Sequence, residues 1–113
     1  MTRDDTHFEL ELFVVGHTPT SDAALENLRV FCARFLPGRH TIAVTDVLED
    51  PVAAESANVV ATPTLIRRSP PPPRRLIGDL ATTLRVMEGL GIDPSHEHGV
   101  ETPDEDEGET ADG

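Results

Sequence analysis

A chain of 113 residues is long enough for one domain with one modest core, burying roughly 60–65 % of the surface its unfolded form exposes. Its net charge of −12 is lopsided: nine of the 21 acids fall in residues 93–113, which hold no basic residue, so the remainder is near neutrality. With four Phe, no Trp, no Tyr and one Cys, the sequence excludes stacking platforms for single-stranded nucleic acid and an internal disulfide framework, and it offers no basic field to nucleic acid or membrane.

Residues 1–7 are polar and read as a flexible start without an apolar signal region. The longest clean apolar stretch, Leu12 to Val15, is far too short to span a bilayer, so the expected location is the cytoplasm. Phe8 to Leu12 alternates apolar and charged residues and then turns apolar on both faces through Val15, which predicts a strand entering a sheet interior. Gly16 ends it, and His17 to Asp22 supply turn and cap residues, with Thr20 or Ser21 as the expected helix cap. Ala24, Leu28, Phe31 and Phe35, with Leu25, Cys32 and Leu36 beside them, form the buried stripe of a first helix that Pro37-Gly38 stops.

Thr41 to Val47 is β-branched enough for a second strand, and the crossover implies that it runs parallel to the first. Asp50-Pro51 pairs a cap with a proline at the first helical position, predicting a two-turn helix over Val52 to Ala57. Beyond it, a β-type run from Ala61 to Leu65 follows Thr62-Pro63. Arg67-Arg68, the rigid connection Pro70 to Pro73 and Arg74 to Ile77 come next, giving two short strands in all. A last helix follows Gly78-Asp79, with Leu80, Leu84, Met87 and Leu90 as its inner stripe and Gly89 and Gly91 at its end. Residues 8–92 therefore read as one α/β domain of order β-α-β-α-β-β-α, that of a thioredoxin-like fold. Residues 93–113 have no apolar period and a composition that cannot offset the entropy of ordering, so they are expected to be a disordered acidic tail.

Pro63 stands where thioredoxin-like domains keep a cis-proline, yet the Cys-x-x-Cys of such enzymes is missing: residues 17–21 are His, Thr, Pro, Thr and Ser. Cys32 lies on the buried stripe and reads as an inert packed thiol. Asp46, Glu49 and Asp50 cluster where open α/β sheets place ligands, but a cap and solvated charges account for them. His96-x-His98 beside Glu97 lacks a third metal ligand in position, and no metal or cofactor is expected. Arg67, Arg68, Arg74 and Arg75 bracket the proline run as a positive patch suited to an acidic partner surface.

Four strings, LELFVVGHTPTS (10–21), IAVTDVLEDP (42–51), VVATPTL (59–65) and PPPPRRLIGDL (70–80), resemble the KaiB family of circadian clock proteins in order and spacing. The resemblance implies a protein that is not an enzyme. It implies binding to a hexameric KaiC-type ATPase, with KaiA-like proteins or histidine kinases as further partners. It also implies metamorphism between a monomeric thioredoxin-like form and a tetrameric ground state whose carboxyl half folds differently. Short elements broken by Pro63, Pro70 to Pro73, Gly78, Gly89 and Gly91 give that switch a physical basis, since two packings then differ by only a few kcal/mol. The residues expected to touch a partner are Pro19, Ser21, Asn58, Arg74, Arg75 and Gly89. Ala23, His40 and Ala43 depart from the basic and aromatic residues the family uses toward partners, Asn58 replaces a common basic residue, and Gly91 stands where an acid is frequent. Two alternatives share the fold: a glutathione-binding or thioredoxin-like enzyme, and a sensor module docking on a histidine kinase. The first lacks a helical second domain and an acidic-Ser pair to grip glutathione.

Overall fold

The computed structural model describes residues 6–92. Its elements are β1 (Phe8–Val14), α1 (Pro19–Phe35), β2 (His40–Asp46), α2 (Pro51–Ser56), β3 (Thr64–Ser69), β4 (Arg74–Ile77) and α3 (Thr83–Leu90). They build a four-stranded sheet of order β2-β1-β3-β4. β1 runs parallel to β2, with Leu12 opposite Val44, as the crossover requires, and antiparallel to β3, with Leu12 opposite Leu65. β4 closes the other edge as an antiparallel partner of β3.

Strand periodicity divides the core in two. Phe8, Leu10, Leu12 and Val14 face α1 and α3, meeting Ala24, Leu28, Phe31, Cys32 and Phe35 from α1 and Val86, Met87 and Leu90 from α3. The Phe31 and Phe35 rings lie 4.8 Å apart and tilted, a favourable aromatic arrangement. On the opposite face, Phe13 and Ile66 meet Ala57, with Ala53 and Ala54 of α2 packed against them. The acidic tail expected over 93–113, His96 and His98 included, lies outside the described residues.

Three local expectations change. The cap of α1 is Thr18, whose Oγ1 accepts from the Ser21 N–H at 3.2 Å; Pro19 takes the first helical position, where a missing N–H costs nothing. Thr18→Ala should therefore lower stability by about 1 kcal/mol in a thermal melt followed by circular dichroism. The third strand begins only at Thr64, after the cis Thr62–Pro63 bond, and continues through Arg67 and Arg68. Finally, α3 starts three residues after Leu80, so its inner stripe is Val86, Met87 and Leu90, while Leu84 is 60 % exposed. Gly89 lies inside that helix, where a Cβ would fall within the Leu76 side chain of β4. Gly91 is the left-handed cap at φ 77°.

Candidate partner-binding surface

The carboxyl ends of β1 and β2 and the start of β3 meet at one end of the sheet. The Val47 N–H donates to the Val14 carbonyl at 2.9 Å, and Asp46 Oδ1 accepts from the N–H groups of Gly16 and Leu48 at 3.2 and 2.9 Å. Asp50 caps α2 by accepting from the Ala53 N–H. Two acids of the Asp46–Asp50 cluster are thus spent on loop and helix geometry, and no metal-binding group occurs among the described residues. Pro63 is buried behind this end, its carbonyl accepting from the Gly78 N–H at 3.0 Å.

No thiol reaches this end. Cys32 is fully buried between α1 and the sheet, and burial pushes its pKa up to about 12. At about pH 8 the folded protein should react with a disulfide reagent at least a thousandfold slower than free cysteine, with full reactivity returning in denaturant. The proton linkage has a definite sign. The folded thiol keeps its proton to about pH 12 against an ordinary value of 9.0, so this contribution is intact below about pH 9 and falls as pH rises further.

The six sequence-derived contact residues do not converge on one spot. Pro19 is exposed at the entrance of α1, but Ser21 beside it is only 3 % exposed, and its Oγ accepts from the Val15 N–H at 3.1 Å. Ser21 braces the turn and presents nothing outward. Gly89 is half-buried against Leu76 and likewise serves packing. Asn58 and Arg75 do come together: Arg75 donates from Nη1 to the Asn58 carbonyl at 3.1 Å and from Nη2 to the Ala57 carbonyl at 2.8 Å, closing the end of α2 onto β4. Arg74, one residue earlier, points to the opposite face of the sheet, alongside Arg67.

The expected patch of four arginines is therefore divided. Arg67 is 5 % exposed, while Arg68 pairs with Glu11 at 2.7 Å, and Thr45 donates to the other oxygen of that carboxylate. An apolar outcrop that sequence reasoning passed over surrounds α2: Leu48, Val52 and Val60 are 69 %, 68 % and 87 % exposed. Three large aliphatic side chains on a tight turn, the first turn of a short helix and a loop were the available signal, because such positions normally carry polar residues.

The KaiB domain model matches residues 11–92, most of the chain and nearly all of the described part. The chain belongs to the KaiB family. Circadian clock protein KaiB3 of Synechocystis sp. is 37 % identical over 91 residues, covering 80 % of this chain and 89 % of that protein. The circadian clock oscillator protein KaiB of Prochlorococcus marinus is 45 % identical over 83 residues, covering 74 % and 70 %. Among solved structures, oxidised mitochondrial thioredoxin 3 of Saccharomyces cerevisiae superposes with a TM-score of 0.62 at 16 % identity, covering 76 % of this chain and 78 % of that one. The N-terminal domain of Synechococcus elongatus SasA does so at 0.61 and 21 %, covering 80 % and 90 %. These likenesses establish a thioredoxin-like fold. Within it, this KaiB-family chain has no cysteine from Gly16 to Ser21, and no described helix is long and apolar enough to cross a membrane.

Proposed function

We propose that this KaiB-family protein is a non-catalytic clock or regulatory component that binds a KaiC-type hexameric ATPase in the cytoplasm and thereby governs which other signalling partners assemble there. The observation that carries this reading is the family match across residues 11–92, with 37–45 % identity to clock proteins. The exposed Leu48, Val52 and Val60 give the contact its apolar centre, with Asn58 and Arg75 at its border and Pro19 as a further exposed point, while Arg74 is exposed on the opposite face of the sheet and lies outside that centre. Ser21 and Gly89 act indirectly, by holding the α1 turn and the α3–β4 packing. The thioredoxin-like form is the binding form, and a tetramer with a refolded carboxyl half is the resting form. KaiA-like proteins and histidine kinases are secondary partners.

Pull-down with a KaiC-type ATPase loaded with ADP or ATP tests the reading. Retention in one nucleotide state, weakened at least about tenfold by Val52→Asp or Val60→Asp, is the expected result. Equal failure to bind in both states overturns it.

A further inference from the structure

Of the four arginines on β3 and β4, two have settled partners: Arg68 pairs with Glu11, and Arg75 holds the carbonyls that end α2. Arg67 and Arg74 differ. They sit opposite each other across the β3–β4 ladder, on the side that packs against α3. Arg67 donates from Nη1 to the Leu90 carbonyl at 2.6 Å and from Nη2 to the Pro72 carbonyl at 2.7 Å, while its buried Nε has no partner. Carbonyl dipoles hold the guanidinium in place without cancelling its charge. Burial and then the neighbouring Arg74 lower the Arg67 pKa, as expected of two like charges that share no counter-ion. Among the described residues, no carboxylate pairs with either side chain.

The backbone leaving α3 passes directly over this pair. A Cβ built on Gly91 would lie 2.9 Å from Arg67 Nη1 and 3.5 Å from Arg74 Nε. Asp93 follows two residues later, a span of at most about 7 Å. Residues 93–109 contain eight acids and neither Lys nor Arg. A tether this short gives those carboxylates a high effective concentration at Arg74, and the partly buried site is screened less than open surface.

We propose that the acidic segment 93–109 of the same chain docks on the Arg67–Arg74 pair and serves as its intramolecular counter-ion. The contact is electrostatic. It stands independently of the ATPase reading.

The test uses the full chain with a nitroxide on Thr110→Cys, since Cys32 is buried and stays protonated to about pH 12. At low salt the label should broaden the Arg67 and Arg74 amides and spare Thr20, at the far end of the sheet. Both about 1 M NaCl, where the Debye length is about 3 Å, and the exposed-site variant Arg74→Gln should reduce that broadening at least roughly twofold. Broadening that neither salt nor Arg74→Gln changes reflects the tether alone and overturns the proposal. Broadening that appears only between labelled and isotope-enriched copies in a mixed sample overturns it as well.

Discussion

Phe13→Ala should lower the unfolding free energy by about 4 kcal/mol, the largest single-residue effect expected in this domain. Phe13 is fully buried on the face of β1 that α2 covers, in a cluster completed by Ile66 and Ala57. Its other neighbours, Val47, Ala53, Ala54 and Val59, are small and only partly buried, so none has the reach to refill the space a ring leaves. α2 itself has six residues and no buried side chain, and a helix that short does not persist without tertiary support. Domains of this size are stable by roughly 5–15 kcal/mol, so the variant comes close to the folding threshold. Urea titration should show the midpoint falling by several molar at an m-value of about 1 kcal/mol/M, or no cooperative transition at all. Val44→Ala, on the exposed edge strand at 46 % exposure, should stay within about 0.5 kcal/mol of the parent; an equal loss there would refute the assignment of this second core. Amide protection in α2 should fall before that in α1, and the apolar outcrop around α2 would lose its shape with it.

The amino half was legible because its signals are local. Alternation in Phe8 to Leu12, the four-three-four spacing of Ala24, Leu28, Phe31 and Phe35, and the Asp50-Pro51 cap each follow from chemistry within a few residues. Where the reading moved, a longer-range contact had decided the matter. The β-type run expected from Ala61 to Leu65 extends through Arg67 and Arg68, because Arg68 pairs with Glu11 of the neighbouring β1 and Arg67 enters the core where the carbonyl end of α3 receives it. Leu84 fits a helical stripe with Leu80, but the left-handed Leu80, at φ 63°, delays the helix and rotates Leu84 outward.

The candidate surface was legible in part. Arg75 and Asn58 meet, and Pro19 is exposed, whereas Ser21 and Gly89 turn inward through a hydrogen bond and a close packing that spacing does not encode. Leu48, Val52 and Val60 escaped notice because exposure, unlike periodicity, is a property of what fails to cover a residue.

Arg67→Ala should cost about 3 kcal/mol, and Arg67→Met only about 1–2 kcal/mol, a difference that separates the arginine's two contributions. Arg67 is 5 % exposed, and its guanidinium joins two chain segments, the carbonyl end of α3 through Leu90 and the proline connection through Pro72. Alanine removes both charge-assisted bonds and opens a cavity. Methionine also leaves the two carbonyls unpaired, but it fills the volume and relieves a charge that burial and Arg74 already disfavour. Lysine is not a conservative replacement, because one ammonium cannot reproduce the fork that reaches both carbonyls. Hydrogen exchange should localise the damage: the Gly91 and Ile92 amides, which donate to the Glu88 and Met87 carbonyls, should lose protection in every Arg67 variant while β1 keeps its own. A methionine variant as unstable as the alanine variant would show that the bonds, and not the packing, dominate. A stabilised methionine variant would show that the buried charge is retained at a net cost to folding, as expected of a residue kept for its position beside Arg74 and Gly91.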